Sequence, residues 1–288
     1  MRYRLANAHD RLNQRQFTIA VRRLATSLGY GSDRSRFLGS GMDYVQSRPY
    51  VPGDPVKQID WRVSGRTGKP HVKEYEATKM TPVYLLVDTS ASMCVSSMPV
   101  SKYAWAVQIA TALALVALDR MSPVGVLACG ERDLHIKPTL SSGLVMQWSY
   151  HLRHFDFHER TSLGVALREL TASLKSRCLI LALSDLHDPE AVAALKLAAQ
   201  EHDVAALQLQ DPAERGVRGG GFFRAREAET GEAFVAHGSH TWFDDHDRMA
   251  HELHRAAVDH VLLKTETSFV PKLVHFLARR NRLGRGAR

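Results

Sequence analysis

Cysteine is scarce in this chain of 288 residues. Cys94, Cys129 and Cys178 are too few for a disulfide scaffold, and their odd number cannot all pair within one chain, which fits a reducing compartment. A long hydrophobic run is also missing. The most apolar stretch, residues 104–118, is about 15 residues long and contains Gln108, short of the ~18–20 that span a bilayer. The first residues, MRYRLANAHDRLNQ, lack the apolar core of a signal peptide. No internal repeat and no low-complexity segment occurs. A cytoplasmic location is expected. With 44% hydrophobic and 24% charged residues, the composition is that of a globular chain able to bury a core, which excludes disorder as the dominant state.

Several catalytic signatures are absent as well. Gly65-Arg66-Thr67-Gly68-Lys69-Pro70 is too short for a phosphate-binding loop and ends in Pro where Ser or Thr would ligate metal. Gly39-Ser40-Gly41 does not make a nucleophile elbow. The fifteen histidines offer His251-x-x-His254 and the pair His154 and His158, but neither is HExxH and no third ligand stands nearby in sequence. Solvated or hydrogen-bonded histidines are the expectation.

What is present is unevenly distributed charge. The formal net charge is +8. Residues 1–73 carry a net +9, residues 74–278 a net −6, and the last ten residues five Arg and no acid. Basic ends around an acidic middle suit an anionic partner in principle. No aromatic-interleaved RNA motif, zinc-finger spacing or helix-turn-helix pattern points to nucleic acid specifically.

The apolar pattern predicts an amphipathic helix over residues 10–28, ended by Gly29 and Gly31, and then turns and short strands to Lys73. From Pro82 onward, wholly apolar runs of strand length (83–87, 124–129, 178–184, 204–209 and 261–264) alternate with helical stretches. These stretches fall near 102–120, 144–155, 163–174, 189–202, 244–258 and 271–280, with an alternating strand at 134–140 and a hairpin around residues 229–231. Fully apolar strands alternating with helices imply an α/β fold: a doubly wound, mostly parallel sheet covered on both faces. The expected organisation is a basic N-terminal segment over 1–80 with a helix and short strands, a main domain over 81–281 with an inserted hairpin at about 215–238, and a basic tail, 282–288.

Ligands in such a sheet gather at the carboxyl ends of the strands. Three oxygen-rich segments fall there or in adjoining loops: Asp88-Thr89-Ser90-Ala91-Ser92, Arg160-Thr161-Ser162 and Ser184-Asp185. Carboxylates and hydroxyls are hard donors that select Mg2+ or Mn2+ over zinc or copper. Taken singly, each segment also reads as ordinary turn and cap chemistry.

Together, Asp88-x-Ser90-x-Ser92, Thr161 and Ser184-Asp185 resemble the metal-ion-dependent adhesion site of the von Willebrand factor type A domain. The preceding stretch narrows the resemblance. Gly39-Ser40-Gly41-Met42-Asp43-Tyr44, Arg48-Pro49-Tyr50-Val51-Pro52-Gly53-Asp54, Ile59-Asp60-Trp61-Arg62 and Val72-Lys73-Glu74-Tyr75-Glu76 are similar to the bacterial family called domain of unknown function 58. Glu159-Arg160 stand where Gly-Gly is usual before the threonine. The resemblance implies a von Willebrand factor type A-like (Rossmann-like) fold and a divalent cation, Mg2+ or Mn2+, held by Ser90 and Ser92, with Asp88, Thr161 and Asp185 bound directly or through water. It also implies an open coordination position for a partner's carboxylate, and a role as adaptor or accessory subunit of a MoxR-type AAA+ ATPase, without catalysis. A metal-dependent hydrolase of phosphoesterase type, or a basic nucleic-acid or membrane-surface binder, are the alternatives. Arg48, Tyr50, Pro52, Gly53, Asp54, Asp60 and Trp61 form a second constellation, either a partner surface or a structural motif. In the structural reading, Trp61 is a core plug and Asp54 and Asp60 are turn or salt-bridge residues.

Overall fold

A computed structural model describes residues 12–30, 42–77, 81–131, 133–154, 159–215, 222–226, 233–237 and 246–282. Residues 39–41, His158, the hairpin tip 229–231 and the tail beyond Arg282 lie outside the described residues. In chain order the elements are α1 (Gln14–Tyr30), β1 (Met42–Pro49), α2 (Trp61–Thr67), β2 (His71–Ala77), β3 (Val83–Val87), α3 (Ala91–Cys94) and α4 (Lys102–Asp119). They continue with β4 (Val124–Ala128), β5 (His135–Thr139), α5 (Ser142–Leu152), α6 (Leu163–Ser173), β6 (Leu179–Ser184), α7 (Ala191–Ala198) and β7 (Asp203–Gln210). Last come β8 (Phe222–Arg226), β9 (Ala233–His237), α8 (His246–Arg255), β10 (Asp259–Lys264) and α9 (Val270–Arg282).

Six strands make the central sheet in the order β10-β7-β6-β3-β4-β5. The pairs β10–β7, β7–β6, β6–β3 and β3–β4 are parallel, and β5 closes one edge antiparallel to β4. The architecture is α/β, a mostly parallel sheet with helices on both faces. Every residue of β3 and β6 is buried, as continuous apolar runs require of central parallel strands. Strand alternation divides β3 between two cores. Val83, Leu85 and Val87 face a cluster with α1, α4, α5 and α9, whereas Tyr84 and Leu86 face one with α6, α7 and α8.

The apolar stretch of α4 is explained by this packing. It lies against the sheet and is itself covered by α1 and α5, so 14 of its 18 residues are buried. In α1 the buried residues Phe17, Val21, Leu24 and Leu28 recur at helical spacing and pack in the same cluster as α4. The helix runs on through Gly29 to Tyr30, past the glycine expected to end it. Propensity is a weak prior where an apolar stripe is docked.

Outside the sheet, β1 and β2 form an antiparallel ribbon, with α2 in the connection between them, and β8 and β9 form another. Asp60 caps α2 by accepting from the backbone N–H groups of Arg62 and Val63, both at 3.1 Å, and from Ser47 Oγ at 2.7 Å. Gly68 ends the helix at φ 71°, donating its N–H to the Ser64 carbonyl. A Cβ there meets no atom within 4 Å, so the cost of Gly68→Ala is purely conformational. About 1 kcal/mol is expected, a small but measurable shift of the urea midpoint. An unchanged midpoint would show that this turn contributes nothing to the cooperative fold.

Trp61 departs from the expected core plug. It is 72% exposed, and α2 has no buried residue. The other half of that expectation stands: Arg48 and Asp54 make a two-pronged ion pair, Nη1 to Oδ2 at 2.7 Å and Nη2 to Oδ1 at 2.8 Å. Asp54 also accepts from the Val51 N–H at 2.9 Å, bracketing the turn in which Pro52 and Gly53 (φ 113°) reverse the chain. The Arg48 hydrogen bond and then the Val51 N–H hold the Asp54 carboxyl at about 2, below its ordinary value. Tyr50 joins the same ribbon, its N–H donating to the Pro70 carbonyl at 2.9 Å. Among the described residues, no helix is long and apolar enough to cross a membrane.

Candidate metal centre

Three parallel strands, β3, β4 and β6, deliver their carboxyl ends side by side. The chain leaves β3 through Asp88 and turns at once into α3, whose N-cap is Ser90. Asp88 Oδ1 accepts from the Ser90 N–H at 3.0 Å, the local bond by which an aspartate after a strand folds its own loop back. Its Oδ2 accepts from Ser184 Oγ at 2.5 Å and from Thr161 Oγ1 at 3.5 Å. The carboxyl is thereby tied both to the end of β6 and to the loop before α6.

On the other side of the loop, Ser90 Oγ lies 3.0 Å from Ser92 Oγ, and Ser92 Oγ donates to Asp185 Oδ2 at 2.8 Å. Asp88, Ser90, Ser92, Thr161 and Asp185 are thus brought into one continuous hydrogen-bonded group, and its Ser92–Asp185 bond alone joins residues 93 apart in sequence. Asp88 and Ser90 are fully buried and Asp185 is 1% exposed.

Sequence reasoning missed Lys102 and Glu214. Lys102 is the first residue of α4 and 1% exposed, and its Nζ lies 2.7 Å from Asp185 Oδ2. The same ammonium is paired with Glu214, which stands in a short 3-10 turn after β7. His187 Nδ1 is 3.4 Å from Asp185 Oδ2, and Asp185, His187 and Glu214 present their ligand atoms within 4.8 Å of one another. A lysine opening a helix in an apolar stretch looks like a solvated end, and its carboxylate lies 112 residues away, so spacing carries no signal for the pair.

Asp211 steadies the surroundings. It accepts from Ser96 Oγ at 2.8 Å, Ser97 N at 3.0 Å and Ala213 N at 2.9 Å, pinning the loop after α3 to the turn that carries Glu214. Asp188 does the same for α6, accepting from the Gly164 N–H at 2.8 Å. Cys94, within α3, is buried, and burial pushes the Cys129 thiol well up, so Cys129 lacks the exposed, acidified thiol of a reactive site.

The electrostatics set the two aspartates apart. Burial, and then the Asp185 charge, pushes the Asp88 carboxyl well above the ordinary carboxylate value. Burial acts the same way on Asp185, but the Lys102 ammonium and then His187 more than reverse it and hold that carboxyl below the usual range. In Lys102 itself burial pulls downward, and Asp185 with Glu214 overrides it, so the ammonium stays charged.

These donors suit a hard dication. Two buried carboxyl groups and three hydroxyls offer oxygen alone, and Asp88, once a dication draws off its proton, sets a desolvated negative charge among hydroxyls and one N–H. Mg2+ or Mn2+ fits that set by charge and softness. Asp88, Ser90, Ser92, Thr161 and Asp185 are the residues that would hold it.

A family described as "Protein of unknown function DUF58" matches residues 46–257. Two relatives, the uncharacterised proteins Mb1516 of Mycobacterium bovis and Rv1480 of Mycobacterium tuberculosis, are each 25% identical over 282 residues, covering 93% of this chain and 89% of their own length. Among solved structures, an uncharacterised membrane-spanning protein from Vibrio fischeri aligns with 15% identity over 70% of this chain and 97% of that one, at a TM-score of 0.23. The match to the family covers well over half of the sequence, and the chain belongs to the DUF58 family.

Proposed function

We propose that this chain is a non-enzymatic, divalent-metal-dependent protein-interaction module of von Willebrand factor type A-like fold. In this reading it works in the cytoplasm as an adaptor or accessory subunit of a MoxR-type AAA+ ATPase. The observation that carries the reading is the hydrogen-bonded group running from Thr161 through Asp88, Ser90 and Ser92 to Asp185 at the carboxyl ends of β3 and β6. The choice of ATPase follows the family resemblance.

The chain's own residues do most of the work. Asp88 and Asp185 supply negative charge that burial leaves short of water. Ser90, Ser92 and Thr161 supply hydroxyl oxygens without adding charge, so the protein does not saturate the ion's preference for anionic ligands. Bound there, Mg2+ or Mn2+ offers a Lewis-acid position to a carboxylate of the partner. Partner and metal then bind cooperatively, each raising the affinity of the other by the same factor.

Capture from native lysate tests this, with wild type and Asp88→Ala each in Mg2+ or in EDTA. Recovery of an AAA+ ATPase by wild type in Mg2+ alone is the expected result. Equal recovery in EDTA, or by Asp88→Ala, overturns the metal-dependent reading.

A further inference from the structure

Lys102 is placed against two general tendencies. Lysine is almost never fully buried unless paired, and a cation in the first turn of a helix opposes the helix dipole. Here the ammonium is 1% exposed at the first position of α4, and what holds it is the pair of carboxylates Asp185 and Glu214. Asp185 is also one of the two carboxylates proposed for the metal. The oxygen that Lys102 touches at 2.7 Å, Oδ2, is the same one that Ser92 Oγ reaches at 2.8 Å. The protein thus delivers its own monovalent cation to a carboxylate oxygen that a divalent ion would share.

We infer that the Lys102 ammonium is a resident cation that competes with the divalent ion for Asp185, and so keeps metal affinity low until a partner's carboxylate adds its charge. The inference rests on the metal-site reading above and adds the residue that tunes it. Two cations on one carboxylate repel at short range in a buried place, where screening by water is weak. The carboxylate's attraction is also divided between them. Loading of the free chain is therefore poor. A partner that brings a negative ligand offsets the ammonium, so the metal is retained in the complex and released with it. Glu214 completes the device: it is a second carboxylate on the same ammonium, so Lys102 keeps a partner when the ion enters.

Titration calorimetry with Mg2+ and with Mn2+, on the full chain, reads the effect. Lys102→Met is expected to bind either ion about tenfold more tightly than wild type, because one positive charge has left the neighbourhood of the ion. Lys102→Arg keeps the charge and is expected to stay near wild type. If Lys102→Met fails to fold, with Asp185 and Glu214 left uncompensated, the comparison moves to Glu214→Gln against Lys102→Met/Glu214→Gln. The double variant should again bind about tenfold more tightly than the single one. Equal or weaker binding on loss of the lysine, in whichever background folds, overturns the inference: Lys102 would then be a brace that orients Asp185. Failure of wild type and every variant to bind either ion overturns the metal site itself, an outcome distinct from the first.

Discussion

Asp88→Asn is expected to weaken Mg2+ binding by a hundredfold or more, with no loss of thermal stability in EDTA. The loss is large because the charge, and not the shape, of this side chain is what the site needs. Changes to groups that merely orient a metal ligand typically cost about 10–100-fold, so losing the charge of one of the two carboxyl groups proposed for the site belongs at or beyond the upper end. The fold should tolerate the change for reasons visible around it. Asparagine keeps a carbonyl oxygen to accept from the Ser90 N–H, which Asp88 Oδ1 now does at 3.0 Å. The Ser184 hydroxyl that donates to Oδ2 can turn to accept from the new amide. Against the disturbed Thr161 contact stands relief from a carboxylate that is fully buried and repelled by Asp185. Calorimetry and a melting curve in EDTA check both halves. An affinity within about threefold of wild type would remove Asp88 from the ligand set. A collapse of the melting temperature would recast it as a structural aspartate.

The contrast between Asp88 and Lys102 shows what the sequence carries and what it leaves out. Asp88, Ser90 and Ser92 are legible because a buried parallel strand must end, and the residues that end it have one address, the ligand-bearing edge of the sheet. Ser184-Asp185 is legible for the same reason. Thr161 needs an additional clue, the helix that opens just after it. Lys102 and Glu214 have no such grammar. Their pairing depends on how far α4 and the turn after β7 approach across the top of the sheet, a tertiary distance that periodicity does not encode.

Trp61 fails in the opposite direction. An aromatic side chain invites burial, yet α2 is a seven-residue helix on a two-stranded ribbon and buries no residue. Composition says which residues prefer burial, while the number of layers available decides which of them obtain it. The alternation of buried strands and helices belongs to the first kind of information, which is why the parallel sheet was readable from Pro82 onward.

Gly130→Ala should lower stability by about 2–3 kcal/mol and reduce Mg2+ affinity about tenfold, although Gly130 carries no ligand atom. The residue follows Cys129 at the end of β4, and its carbonyl accepts from Ser162 Oγ at 3.1 Å, next to Thr161. A Cβ placed there would collide with Thr89 Oγ1, stand 2.7 Å from Glu159 Oε2 and lie 3.3 Å from Thr89 Cβ. Neither neighbour is a mobile surface group. Thr89 is fully buried and stiff at χ1, and Glu159 is 6% exposed, with a carbonyl that accepts from the Ala91 N–H at 2.8 Å. The added methyl must therefore push on the residue between Asp88 and Ser90, and on the segment leading to Thr161, so packing strain reaches the donor group directly. Thr89→Ala separates the causes. Thr89 Oγ1 has no hydrogen-bond partner among the described residues, so that change alone should be mild. In the double variant it should return a good part of what Gly130→Ala loses, giving a coupling of about 1 kcal/mol or more. Strictly additive losses would mean that the methyl acts elsewhere, and a Gly130→Ala variant with normal stability and metal binding would mean that the loop has room the packing does not display.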